Sequence, residues 1–248
     1  MISIIIPTLN EEKHLFLLLE SLKNQTFQDF EVIVADAGSK DKTLEIAKKW
    51  GCKVVKGGLP AFARNRGAEA AKGDILVFFD ADVYLPKDFL KKTIKEFKNR
   101  NLGLAGCYSL PLSDKPIDFI LYGIANFYLR ITQIFIPQVA GYCIFVKKKI
   151  HQEIGGFNEE MKLNEDFDYA QRASKKEKGR FLKSAKIPIS VRRLDKEGRF
   201  RLSLKYLTCT IYFLLFGGIK KSIFNYPFAH YNENMEDIEK KIKKLKLK

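Results

Sequence analysis

The stretch Ile75-Leu76-Val77-Phe78-Phe79-Asp80-Ala81-Asp82-Val83 decides how this chain is read. An apolar run of strand length stops abruptly on two carboxylates one residue apart. A run that is apolar at every position has no polar face, so it reads as a strand buried on both sides of a parallel sheet. Like charges this close repel and raise each other's pKa, so a compensating cation is expected beside them.

Moving outward, the same pattern repeats. Ile2 to Pro7 is a β-branched run that reads as a buried strand, and Leu15, Leu18, Leu19 and Leu22 then recur at helical spacing. Phe30 to Ala35 is a second strand, closed by Asp36, Gly38 and Ser39. A helix over Thr43 to Trp50, with Gly51 as its stop, leads to a short strand over Lys53 to Lys56. An alanine-rich helix over Ala61 to Ala71 precedes the quoted strand, and Pro86 to Arg100 gives one more helix. Strand and helix thus alternate through the first hundred residues, the signature of an α/β fold with a parallel sheet covered on both faces. Ligands of such sheets bind at the carboxyl ends of the strands. Polar side chains collect there: Thr8, Asn10 and Glu11 after the first strand, Asp36 after the second, Asp80 and Asp82 after the fourth.

The second half differs in character. Strands are expected over Leu104 to Leu110, Gly141 to Val146 and Ile187 to Val191. Ile117 to Ile136 is apolar and aromatic, interrupted by Asp118 and Arg130, and reads either as core or as a lipid-facing element. Tyr206 to Ile219 is uncharged but, at 14 residues, shorter than the about 20 needed to span a bilayer. With Lys205 before it and Lys220-Lys221 after it, this stretch reads as an interfacial helix, the competing reading being a helix packed on the main domain. Residues 1–200 are expected to form the main domain, and residues 201–248 a helical extension ending in an amphipathic tail from Met235.

The chain has 248 residues and a net charge of +15. Such a charge points to an anionic partner: nucleic acid, an anionic membrane surface or a phosphorylated substrate. Nucleic acid is set aside, because the basic residues are dispersed, no RNA- or DNA-binding motif appears, and acids occupy the strand ends. Cys52, Cys107, Cys143 and Cys209 stand singly, which argues against structural zinc and disulfides and fits a reducing cytoplasm. No secretory leader is expected, since Ile2 to Ile6 is short and lacks a basic flank.

Two carboxylates one residue apart in a loop suit a hard divalent cation such as Mg2+ or Mn2+, which takes one or two carboxylates together with phosphate oxygens. A lone Asp-x-Asp is a weak signal, and its position at a parallel strand's end strengthens it. Ile4–Glu12 (IIIPTLNEE), Val34–Thr43 (VADAGSKDKT), Ala63–Asp82 (ARNRGAEAAKGDILVFFDAD), Gly155–Glu160 (GGFNEE) and Asn164–Arg172 (NEDFDYAQR) follow in order. Together these segments resemble the family 2 glycosyltransferases of GT-A fold, over roughly residues 1 to 195.

The resemblance implies an enzyme that transfers a sugar from a UDP- or GDP-sugar donor and inverts the anomeric carbon. It implies that Pro7, Thr8, Asn10, Glu11, Asp36, Arg64 and Asp80 serve the nucleotide, with Asp36 on the base. Asp80 and Asp82 would bind the diphosphate through Mg2+ or Mn2+. Asp166 would be the catalytic base of the pair Glu165-Asp166. Many members carry a second aspartate where this chain has Ala37. Gly155 and Gly156 are expected to turn near the sugar and acceptor, and Arg192 and Arg193 to clamp a diphosphate or lie on a basic face. Lys186, Arg199 and Arg201 read as general surface charge. A base suits a hydroxyl acceptor on a lipid-linked glycan, a glycolipid or a polysaccharide. The alternative is a polyprenyl phosphate, which is already ionised. A donor binder without activity is the remaining reading. The expected setting is the cytoplasm, peripherally at the inner membrane face.

Overall fold

The computed structural model describes residues 1–161, 163–216 and 233–245. Strands β1 (Ile2–Thr8), β2 (Phe30–Asp36), β3 (Lys53–Lys56), β4 (Ile75–Phe79), β5 (Leu104–Leu112), β6 (Cys143–Lys147) and β7 (Gly179–Ser190) form one sheet. Their order is β3-β2-β1-β4-β6-β5-β7. The first four are mutually parallel, as the alternating sequence requires. β6 is antiparallel to both β4 and β5, while β5 and β7 are parallel to each other. The reversed β6 brings its first residue, Cys143, and the preceding Tyr142 beside the end of β4: Cys143 pairs with Phe79, and the Asp80 amide donates to the Tyr142 carbonyl at 3.3 Å.

Side chains alternate across the pleat, so β4 feeds both faces. Val77 and Phe79 join Ile4 and Ile6 against α1 (Glu12–Lys23) and α4 (Phe89–Asn99). Leu76 and Phe78 join Ile5 against α3 (Pro60–Ala70) and α7 (Glu165–Ser174). All five residues of β4 are buried, which explains why the run carries no polar residue. α2 (Thr43–Lys49) covers the outer strands, and α6 (Lys148–Glu153) follows β6.

Some boundaries differ from expectation. α4 starts at Phe89 rather than Pro86, because the Pro86 carbonyl accepts from Gln25 Nε2 and the Phe89 amide, and Lys87's carbonyl from Thr26. β7 begins at Gly179, well before Ile187. Its register against β5 shifts between Cys107 and Tyr108, and the bulge disguises the strand pattern of its first half. As an edge strand it tolerates Pro188.

α5 (Pro116–Thr132), α8 (Arg192–Glu197) and α9 (Arg199–Phe216) follow the sheet's second half. The expected division at residue 200 falls inside α9, whose Leu202 is buried against Val191 and Leu194. α10 (Met235–Lys244) returns to the main body, where Ile238 packs with Leu17, Tyr84 and Leu112. Residues 217–219 of the uncharged stretch and 246–248 of the tail lie outside the described residues. All four cysteines are free thiols.

Candidate active site

The carboxyl ends of β1, β2 and β4 converge on one edge of the sheet, and loops stitched by short polar side chains build the site there. The Asp36 carboxylate accepts from Thr8 Oγ1 (2.8 Å), Ser39 Oγ (2.5 Å) and the amides of Gly38 (2.9 Å) and Ser39 (2.8 Å). The Asn10 amide donates to Ser39 Oγ at 2.8 Å, and Asn10 Oδ1 accepts the Lys40 amide at 2.6 Å. Asn10 holds a left-handed φ of 52°, which asparagine tolerates better than most residues. Pro7 pairs in register with Ala35, within the two strands that carry these loops. Asp36 is thus the clasp that fixes one loop to the other.

The charge conflict between Asp80 and Asp82 is answered by arginines. Arg64 on α3 donates through Nη2 to Asp80 Oδ1 at 3.1 Å and through Nη1 to Glu165 Oε1 at 2.8 Å. Its guanidinium lies 5.4 Å from the Phe157 ring centroid, and its side chain is buried. Arg192 grips Glu11 in a bidentate pair at 2.6 and 2.9 Å and reaches Asp82 Oδ2 through Nε at 3.1 Å. The expected compensating cation is therefore supplied by the protein twice over, one guanidinium per aspartate. Burial pushes the Glu11 carboxyl up to about 7, against the opposing pull of Arg192. Arg193 Nη1 reaches Tyr206 Oη at 3.3 Å, and its charge is near enough to Asp80 to oppose the rise of that carboxyl's pKa.

Asp166 is held at the start of α7, next to Asn164 in a left-handed conformation. Its Oδ2 accepts from the Gly141 amide at 2.7 Å and its Oδ1 from the Phe167 amide at 2.9 Å. Burial first, and Glu165 second, push its pKa up to about 7, although Arg64 and the two amides oppose the rise. A carboxylate poised there at neutral pH suits a general base. Gly141 is the functional residue that sequence reading missed. A Cβ at that position would sit 2.7 Å from Arg64 Nη2, so a side chain there would have to displace the guanidinium that pairs with Asp80 and Glu165. The sequence reads it as the first residue of a strand, whereas β6 starts at Cys143 and leaves Gly141 in the loop before it.

Gly155 and Gly156 adopt φ of 72° and 73°. The turn they make is anchored by Asn65, whose side chain bonds both the amide and the carbonyl of Phe157 at 2.8 and 2.9 Å. Arg172 donates to the Ile154 and Gly156 carbonyls at 2.7 and 2.8 Å. The turn therefore seats Phe157 under Arg64. Arg199, read above as general surface charge, is a specific partner: it pairs with the fully buried Asp118 at 2.6 and 2.8 Å.

Among the described residues no group of three or more His, Cys, Asp or Glu is arranged to hold a metal ion by itself. A Mg2+ or Mn2+ that takes phosphate oxygens needs only one or two carboxylates. Asp80 fits that demand, since its side chain keeps 41% of its exposure at the mouth of the site. Asp82, whose Oδ2 accepts from Arg192, would supply the second hard oxygen donor. A cavity of about 520 Å³ lies at the opposite end of β4, between Asp74, Phe97 and Lys147, and takes no part in this site.

Comparison with known proteins bears on the family and the fold. The family model described as "Glycosyl transferase family 2" matches residues 3–154, more than half of the chain. The chain is 37% identical over 108 residues to a dolichyl N-acetyl-alpha-D-glucosaminyl phosphate 3-beta-D-2,3-diacetamido-2,3-dideoxy-beta-D-glucuronosyltransferase of Methanococcus voltae, covering 39% of this chain and 34% of that protein. It is 38% identical over 99 residues to the poly(ribitol-phosphate) beta-N-acetylglucosaminyltransferase TarS of Staphylococcus aureus, covering 36% of this chain and 17% of TarS. The chain thus spans about a third or less of these relatives' length. In fold it is similar to a mannosyltransferase from Pyrobaculum calidifontis solved with GDP-Man and Mn2+ (TM-score 0.64, 21% identity, 84% of this chain and 64% of that one). It is also similar to S. aureus TarS 1-349 solved with UDP-GlcNAc (TM-score 0.63, 22% identity, 76% of this chain and 58% of that one).

Proposed function

The chain belongs to glycosyl transferase family 2, and on that premise we propose that it moves a sugar, with inversion, from a UDP- or GDP-sugar to a hydroxyl acceptor on a lipid-linked glycan, a glycolipid or a polysaccharide. The observation that carries the reading is Asp166, held between two amide donors with its pKa near 7 and joined through Glu165 and Arg64 to Asp80.

In this reading the loops of Pro7, Thr8, Asn10, Glu11 and Asp36–Ser39 seat the nucleotide, with Arg64 fixing the acids at the sugar end. Asp166 takes the proton of the acceptor hydroxyl as its oxygen bonds to the anomeric carbon. The bond from that carbon to the diphosphate breaks on the opposite face, and its electron pair leaves with the diphosphate. Mg2+ or Mn2+ held by Asp80 and Asp82 would neutralise that charge as a Lewis acid. Arg192 and Arg193 lie close enough to these acids to meet a diphosphate as well. The presence of the Glu165-Asp166 pair favours the hydroxyl over a polyprenyl phosphate, which is already ionised and needs a base less. The work is proposed to take place at a membrane face, on the cytoplasmic side, with residues 1–200 as the catalytic unit and the remainder as an extension.

Asp166→Asn tests the reading. Turnover should fall by about 10²–10⁴-fold, while calorimetric binding of the nucleotide sugar in the presence of Mn2+ persists. Retained turnover in that variant, or absence of binding by every UDP- and GDP-sugar tried, would overturn it.

A further inference from the structure

α5 is built inside out. Its inward side carries polar residues, each one engaged. Asp118 takes Ser113 Oγ at 2.5 Å and Arg199, and Asn126 bonds the Ser109 carbonyl at 2.8 Å and its amide at 3.1 Å. Gln133, just past the helix, accepts the Phe181 amide at 2.9 Å. Its outward side is apolar: Ile117, Ile120, Ile124, Phe127 and Ile131 recur at helical spacing and are all exposed, Ile124 at 63% and Phe127 at 64%. A helix of a water-soluble domain shows the reverse pattern. α9 repeats the device. Phe200, Leu204, Leu207 and Ile211 face solvent, while Leu202 and Cys209 are buried. Single exposed apolar residues are ordinary, but two periodic stripes are a surface waiting for a cover.

The helices are tied together. Arg199 at the start of α9 pairs with Asp118 of α5, and Tyr122 of α5 packs against the cluster containing Leu202. Both also adjoin the catalytic loop: the Cys209 carbonyl accepts from Asn164 Nδ2 at 3.0 Å, and α5 leads through residues 133–140 to Gly141. No helix among the described residues is long and apolar enough to cross a membrane. Charge selects the cover. Lys115, Arg130, Lys196 and Arg201 border the stripes and are exposed, and Lys220 and Lys221 follow α9 in sequence. A second copy, itself at +15, would be repelled, whereas an anionic lipid surface attracts.

We propose that the outward stripes of α5 and α9 dock this protein peripherally on an anionic lipid surface, with the Asp166 mouth beside the headgroups. Only the purpose of that placement rests on the glycosyltransferase reading; the docking itself does not. Interfacial binding of this kind adds burial of apolar side chains to attraction by anionic lipid.

Co-sedimentation with phosphatidylcholine vesicles, with and without phosphatidylglycerol, tests it. The protein should partition onto the phosphatidylglycerol vesicles and come off progressively as salt rises. The double variant I124E/L207E should lose about 100-fold in partitioning, since each charge would be forced into apolar surroundings. I124S/L207S should lose less. Melting temperature and nucleotide binding should be unchanged in both variants. No partitioning by the parent protein at low salt, or equal partitioning by I124E/L207E, would overturn the proposal. So would a soluble dimer that the same variant dissolves in the absence of vesicle binding. Loss of donor binding with vesicle binding intact would sink the enzymatic reading alone.

Discussion

Asp80 and Asp82 sit one residue apart, and each has its own arginine. Arg64 does more than neutralise, because one planar group spans Asp80 and Glu165 and so sets the spacing between two acids to which the proposed mechanism gives the leaving-group end and the base end. Arg64→Ala would leave both carboxylates without their partner in a recessed site, at a cost of about 3 kcal/mol in urea denaturation. Arg64→Lys should recover part of the stability but little of the activity, since an ammonium cannot hold two acids in one plane. Asp166 gives the matching pH prediction. A base must be ionised to act, so kcat/KM should rise with pH through about 7. The Asp166→Asn variant's residual rate should lack that limb. The acids of this site were legible in the sequence because they end apolar strands. Gly141 was not, because it lies 25 residues before Asp166 and meets it only through the reversal of β6. The arginine pairing was not legible either: Arg192 and Glu11 are 181 residues apart.

Among the elements, α5 is held at its start by the Asp118–Arg199 pair. Asp118 is fully buried, and Arg199 is 21% exposed, so the pair is screened little on one side and moderately on the other. Asp118→Ala should destabilise the protein by about 3 kcal/mol, near the lower end for breaking a buried pair, read from urea titrations at neutral pH. Arg199 and Ser113 hold the Asp118 pKa below the usual carboxylate value even though burial works to raise it. A carboxylate held low stabilises the fold above its unfolded pKa of about 3.9, and that contribution disappears as pH falls through its lower folded value. The deficit of Asp118→Ala should therefore shrink in strong acid. Strands β1 to β4 were readable because continuous apolar runs have one meaning inside a parallel sheet. β7 was half hidden, because Lys183, Ser184 and Lys186 surround its bulge and break the alternation. The sequence of α5 allowed core or lipid as its surroundings. The inward direction of Asp118, Asn126 and Gln133 turns the apolar side outward, which excludes core; lipid as its cover is the proposal made above.

Across the whole molecule, buried titratable groups act in opposition. His14 bonds Tyr84 Oη at 2.7 Å and lies 3.5 Å from Glu233, and burial holds its pKa at about 3. His151 bonds Tyr169 Oη at 2.8 Å, and burial holds it at about 4. As pH falls below about 6.5 the unfolded chain protonates both histidines and the folded chain does not, so each costs about 1.4 kcal/mol per pH unit. Glu11 and Asp166, both at about 7, do the reverse. The folded state takes up their protons first, and acidification from about 7 to about 4.5 favours folding until the unfolded carboxylates protonate too. Between pH 6.5 and 4.5 these four groups offset one another, and Asp80, also raised by burial, adds to the carboxyl side, so the profile is far flatter than either pair alone would make it. Removing one member should expose the imbalance. Asp166→Asn should tilt the flattened stretch downward on acidification by about 1.4 kcal/mol per pH unit relative to the parent, measured by urea midpoints at fixed ionic strength. His151→Gln should tilt it the other way, and the double variant should restore the parent's profile. The same profile in all of these proteins would mean that neither group titrates where burial sets it.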